Sequence, residues 1–226
     1  MNIENAVAVV TGGNRGLGRA FVARLIERGA KVYAAARDPQ KVDVPGAVPL
    51  RLDITDPESV ARAAGIAADA TLLINNAGVS THASLIDGDL GDIELEMRTH
   101  FFGTLGVTRA FVPVIEANGG GAILNVLSVL SWVHLPQYGG YSAAKAAEWA
   151  QTNAVRQELA PRGIKVSALH VGYMDTDMAA YVAPENKIDP VLVAEAGLDG
   201  IAAGTPEIIA DEFSRGVKQN LSAAIV

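Results

Sequence analysis

Six short runs, apolar almost throughout and separated by helix-length amphipathic stretches, constrain this chain more than any other feature. They are Ala6–Val10, Lys31–Ala36, Val48–Leu52, Thr71–Ile74, Ala122–Leu127 and Lys165–Leu169, with a short final one expected at Ala223–Val226. Strands that lack a polar face must be covered on both sides, and strands alternating with helices run parallel through crossover connections. Helical spacing is found near Leu17–Arg28, Pro57–Ala64, Leu95–Asn118, Tyr141–Ala160 and Pro206–Lys218. The pattern predicts an α/β protein: one doubly wound parallel sheet of about seven strands with helices on both faces. A chain of 226 residues fits this as a single domain, 1–226.

Composition narrows the function classes. Half the residues are hydrophobic, yet no uninterrupted apolar run reaches the roughly 18 residues of a membrane span. The first residues carry no basic flank ahead of their apolar run, so they do not read as a secretory signal. There is no cysteine, which excludes disulfides and thiolate chemistry and fits a cytoplasmic setting. A net charge of −7 argues against broad contact with a nucleic-acid backbone. The histidines show no ligand spacing, and no metal site is expected.

The first strand run leads into Thr11-Gly12-Gly13-Asn14-Arg15-Gly16-Leu17-Gly18, and a helix then begins with Leu17, Phe21 and Leu25 on one face. Glycines in such a turn let the backbone approach a pyrophosphate at the helix N-terminus, where free N–H groups and the dipole favour anions. A Gly-rich turn can also bind nothing. Its place between a first strand and a helix favours a dinucleotide.

Further on, Tyr141-Ser142-Ala143-Ala144-Lys145 opens a strongly helix-forming run. Residues four apart on a helix share a face, so phenol and ammonium can meet. A nearby cation stabilises phenolate, and this spacing predicts a Tyr141 pKa lowered toward working pH. Tyr141 is then a usable proton donor or acceptor.

Together these stretches resemble the short-chain dehydrogenase/reductase family. The Thr-Gly-x-x-x-Gly-x-Gly turn, Asn75-Asn76-Ala77-Gly78 after the fourth strand, Ser128 thirteen residues before Tyr141, and Tyr-x-x-x-Lys stand in the family's order. The resemblance covers nearly the whole chain and implies a Rossmann-type fold and hydride transfer through a nicotinamide cofactor. It implies that Asn76, Ala77 and Gly78 line the adenine-ribose side. It makes Tyr141 the general acid/base and Lys145 a group that lowers its pKa and binds the nicotinamide ribose. Ser128 then donates a hydrogen bond to the substrate oxygen.

Charge argues for the cofactor. Where an acidic residue would take a ribose 2′-hydroxyl at the end of the second strand, Ala36 is followed by Arg37, and Arg15 sits in the glycine turn. Guanidiniums suit a phosphate, so NADP(H) is expected. Asp53 matches the family position at the adenine ring and reads equally well as a helix cap before Pro57. Two departures stand out. The family's helical Asn-x-x-Gly reads His100-Phe101-Phe102-Gly103, which puts His100 in a proton-relay position either as a titrating participant or merely tolerated. The Pro-Gly-x-x-x-Thr pattern reads Val171-Gly172-Tyr173-Met174-Asp175-Thr176, with Gly172 and Thr176 expected over the nicotinamide.

Residues 175–204 are read as a loop region covering the substrate, with one or two short helices. Val133, Leu135, Met174, Met178 and Tyr181 either favour a hydrophobic ketone or aldehyde or belong to the core. Ser131 and Tyr138 are not expected to act. The reading is an NADPH-dependent carbonyl reductase (an alcohol dehydrogenase in reverse). The alternatives are a 3-ketoacyl-carrier reductase, which needs basic residues at the pocket mouth where 175–199 offers only Lys187, and a non-catalytic NADP-binding sensor or scaffold. The resemblance also implies a homo-oligomer, dimer or tetramer, through helices 95–118 and 141–160.

Overall fold

A computed structural model of the chain describes residues 1–222. Seven strands form one parallel sheet: β1 (Val7–Thr11), β2 (Lys31–Ala36), β3 (Val48–Arg51), β4 (Leu72–Asn75), β5 (Gly121–Val126), β6 (Ile164–His170) and β7 (Glu207–Ile209), in the order β3-β2-β1-β4-β5-β6-β7. The order reverses between β1 and β4, so a crevice opens beyond the carboxyl ends of those strands, where α/β sheets place ligands. The doubly wound reading of the sequence holds.

Helices α1 (Gly16–Glu27) and α6 (Pro190–Ala203) cover one face, α2 (Pro57–Ile66) and α4 (Thr104–Ala117) the other. One core cluster gathers Val10, Phe21, Leu25, Leu124, Leu169, Val193 and Leu198; the opposite one gathers Val9, Leu73, Phe111, Ile115 and Ile123. Alternate residues of each strand thus enter opposite cores, and every central strand reads apolar. Among the described residues no helix is long and apolar enough to cross a membrane.

Three expectations are corrected. The excursion is shorter than 175–204, because Pro190–Ala203 is a core helix rather than a loop. Asp189 caps it by accepting from the Val191 amide at 2.8 Å, Pro190 opens it, and Gly204 ends it in a left-handed conformation. Gly197 and Gly200 make its sequence look loop-like, yet each is a packing notch: a Cβ at 197 would press on the Phe21 ring, and one at 200 would collide with Ile208. The second correction concerns Pro206–Lys218. Its first residues form β7 beside β6, and the helix is only α7 (Glu212–Gln219), capped by Asp211. The strand expected at Ala223–Val226 lies outside the described residues.

The helix expected at Leu95–Asn118 begins earlier and is not uniform. It runs as α3 (Leu90–Met97), a π-helical turn over Arg98–Gly103, and α4. α5 (Gly139–Leu159) packs on this rod and on β6.

Candidate active site

At the glycine turn, Gly12 and Gly16 adopt positive φ of 67° and 50°. A Cβ at Gly18 would run into the Gly12 carbonyl and the Asn76 amide, so that position admits no side chain. α1 starts without a side-chain cap and without an acid in its first turn, which leaves its leading N–H groups open to an anion. Thr11 ties the turn to the loop after β4: its Oγ1 accepts from the amides of Asn76 at 2.9 Å and Ala77 at 3.0 Å. Asn76 Nδ2 in turn donates to the Thr11 carbonyl at 2.9 Å. This cradle fits a dinucleotide phosphate.

At its far end a cavity of about 320 Å³ is lined by Arg37, Arg51, Asp53, Asp56, Ser59 and Arg62. Burial pushes the Asp53 carboxyl up, but hydrogen bonds from Thr55 and the Arg37 charge outweigh it and hold the group below its ordinary value. The cap of α2 is Asp56, which accepts from the Glu58 amide at 2.9 Å, so Asp53 is released from that role. Arg51 and Arg62 add cations that sequence reasoning missed. Arg15, by contrast, does not line this cavity; it reaches 3.5 Å to Asp177 in an exposed pair. Gly16 faces Thr176, so the segment after β6 meets the glycine turn there, while the Gly172 amide donates at 2.8 Å to Asp211, the cap of α7.

The second group lies past the end of β5. Ser128 is buried in an extended conformation, its hydroxyl accepting from the Leu130 amide at 3.1 Å. Tyr141 stands in the first turn of α5, and the neighbouring Ser128 hydroxyl pulls its pKa down. Lys145, one turn on, is buried. Its Nζ donates to the Val126 carbonyl at 2.8 Å and to Glu148 at 2.7 Å, and lies 5.9 Å from the Tyr141 ring centre. The sequence expectation of a depressed phenol is not met. Burial pushes Tyr141 above its ordinary value; Lys145 opposes this, while Glu148 and Glu96 add to it.

His100, on the π-helical turn, is brought to the same place. Its ring meets Tyr141 edge-on, with centres 5.2 Å apart, and Nε2 lies 2.7 Å from the Val79 carbonyl. Burial, then the Lys145 charge, push its pKa below the usual imidazole range, which leaves it neutral near pH 7. Ser131 donates to the Ser128 carbonyl at 2.7 Å and stands as a support, with its oxygen 3.2 Å from His170 Nδ1. Tyr138 donates to Tyr181 at 2.7 Å. Buried amides fix the frame: Asn75 Nδ2 donates to Asn125 at 2.8 Å, and Asn125 Nδ2 donates to Thr152 on α5 at 2.9 Å.

Sequence reasoning did not find Glu148, a buried acid three residues after Lys145 and on its face of α5. Its signal was present: a charged residue at i+3 within an otherwise small and apolar helix face.

Comparison with known proteins identifies the family. Residues 6–187 match the family model described as short chain dehydrogenase. A crystal structure of a short chain dehydrogenase from Burkholderia cenocepacia J2315 in complex with NADP is 43% identical, with a TM-score of 0.94 over 99% of this chain and 95% of that one. The apo form of LigD from Sphingobium sp. strain SYK-6 is 28% identical, with a TM-score of 0.84 over 98% of this chain and 99% of that one. The NADPH-dependent 1-acyldihydroxyacetone phosphate reductase of Schizosaccharomyces pombe is 33% identical over 205 residues, 83% of this chain and 69% of that protein.

Proposed function

The chain belongs to the short-chain dehydrogenase/reductase family of oxidoreductases, and from that premise we propose that it transfers a hydride between NADP(H) and a ketone or aldehyde, with Tyr141 as general acid/base. The observation that carries the reading is the grouping of Tyr141 and buried Lys145 with Ser128 past the end of β5.

When bound, the nicotinamide supplies or accepts the hydride. Thr11, Gly12, Asn14, Arg15, Gly16, Leu17 and Gly18 hold its phosphates, and Asn76, Ala77 and Gly78 line the ribose side. Arg37, with Asp53 beside it, faces the adenosine end; Arg37 and Arg51, beside an Arg62 already paired with Asp56 and Glu58, favour a 2′-phosphate. Gly172 and Thr176 close over the nicotinamide. Ser128 donates to the carbonyl oxygen and stabilises the negative charge that develops there. The Tyr141 O–H bond then breaks as an O–H bond forms at that oxygen, and Lys145 stabilises the phenolate left behind. A phenol above its ordinary pKa is fully protonated near neutrality, which suits the reducing direction.

A hydrophobic substrate is supported by the part-exposed Leu135, Met178 and Tyr181. A carrier-bound acyl group is disfavoured, because Lys187 is only partly exposed and is paired with Asp175 at 2.7 Å. A homo-oligomer is supported by exposed Leu95 and Phe102 along the α3–α4 rod. The test of the main reading is a spectrophotometric screen of ketones and aldehydes with NADPH and NADH. Loss of reduced-nicotinamide absorbance with apolar carbonyls is expected, and no turnover across the panel would overturn it.

A further inference from the structure

Lys145 and Glu148 form an ion pair shut away from solvent, with side chains 7% and 2% exposed. Such a pair is costly to bury, and removal of one partner leaves the other charge uncompensated. The carboxylate has company on both sides. One oxygen accepts from the Thr104 hydroxyl at 3.2 Å; the other, already on Lys145, lies 3.7 Å from His100 Nδ1. Nε2 of that ring lies 2.7 Å from the Val79 carbonyl and 3.3 Å from the Val79 amide, while Nδ1 has no hydrogen-bond partner. Lys145, at 2.7 Å against 3.7 Å for the ring, is the cation in direct contact with Glu148.

We propose that Glu148 is a positioning residue for proton transfer at Tyr141: its carboxylate keeps the Lys145 ammonium charged and fixed beneath the phenol, and so sets the pH at which the Tyr141–Lys145 unit gives up a proton. The inference rests on the reading of Tyr141 as acid/base. Burial works to strip the proton from Lys145, and Glu148, joined by the Tyr141 oxygen, more than offsets it. The same negative charge acts on Tyr141 in the same sense. The other groups facing the unit are Glu96 and His100 from the α3–α4 rod, Ser128 after β5, His170 from β6, and Tyr181 from the segment after β6. Glu96 is a second buried acid, bonded to the Thr81 amide at 2.7 Å, and reinforces the effect on Tyr141 without touching Lys145.

The test is Glu148→Gln, which keeps the shape and removes the charge. The reducing form needs a neutral phenol and a charged amine, and loss of the anion weakens proton binding on both. The alkaline limb of kcat/KM for carbonyl reduction is expected to move to lower pH by about one unit or more. The ¹³Cε resonance of Lys145, assigned by its loss in Lys145→Arg, should titrate at a correspondingly lower pH, with Glu148→Asp in between. Unmoved midpoints in both measurements overturn the proposal, even if Glu148→Gln is less active at every pH, since that marks a merely structural role. If wild type reduces no carbonyl, the hydride-transfer reading fails and the lysine titration alone decides Glu148. If Glu148→Gln does not fold, an unmoved lysine midpoint in Glu148→Asp overturns it.

Discussion

A Cβ built on Gly78 would lie 2.7 Å from Cε1 of His100, so the loop after β4 and the π-helical turn share one space. The glycine is required by its neighbour rather than by its backbone, because its φ is not in the left-handed region. With the ring 1% exposed and held at Val79, it has no room to retreat. Gly78→Ala should therefore cost about 1–3 kcal/mol through overpacking. Pairing it with His100→Ala should recover at least about 0.5 kcal/mol relative to the sum of the single changes, read from urea unfolding. Additive effects would show that the two do not touch.

Tyr141→Phe removes the proton and leaves the ring. Turnover should fall by about 10²-fold or more, while NADP(H) affinity, followed by fluorescence titration, stays near wild type. A variant that kept substantial activity would end the acid/base assignment.

Arg37 lines the cavity at the adenosine end, whereas Arg15 is drawn to Asp177. A charge-assisted contact to phosphate is worth about 1.5–3 kcal/mol, so Arg37→Ala should raise KM for NADPH by about 10-fold or more and leave KM for NADH little changed. Arg15→Ala should act more weakly. Equal effects on both cofactors would place the 2′-phosphate elsewhere.

His170 has no exposed surface, stacks on Trp132 with ring centres 3.8 Å apart, and is pushed down to about 4, chiefly by burial. The unfolded chain, with an ordinary imidazole near 6.5, binds a proton that the native site refuses. Stability therefore falls as pH drops through the window from about 6.5 to about 4, by about 2 kcal/mol between pH 7 and pH 5 from this group alone. Buried His100 acts in the same direction. His170→Phe keeps an aromatic stack and removes the titration, so its unfolding midpoints at the two pH values should lie closer together than those of wild type. An unchanged gap would refute the assignment.

The sheet was legible because central strands buried on both faces leave continuous apolar runs, and the turn residues Gly12, Gly16 and Gly29 stand where positive φ is needed. β7 escaped because three residues, Glu207-Ile208-Ile209, are too short to show a period, and α6 because its glycines answer to Phe21 and Ile208, partners remote in sequence. At the site, helical spacing pointed to Tyr141 and Lys145, while Ser128 and His100 came from the resemblance to the family's motifs. The sign of the lysine's pull on Tyr141 was also legible. The net direction was not, since it depends on burial and on Glu96 and Glu148, which reach the phenol only through the fold.

The wide turn at Arg98–Gly103 has a consequence for how the rod tolerates insertion and deletion. Each residue of a regular α-helix advances the side chains by about 100°, and a π-helical turn accommodates one residue beyond the regular count. Deleting one residue there would restore an even ladder and swing the N-terminal half around its axis. Glu96 would then leave the Thr81 amide while Thr104 kept its grip on Glu148. The irregularity is thus a phase adjuster, matching two halves of one rod to a single neighbouring helix.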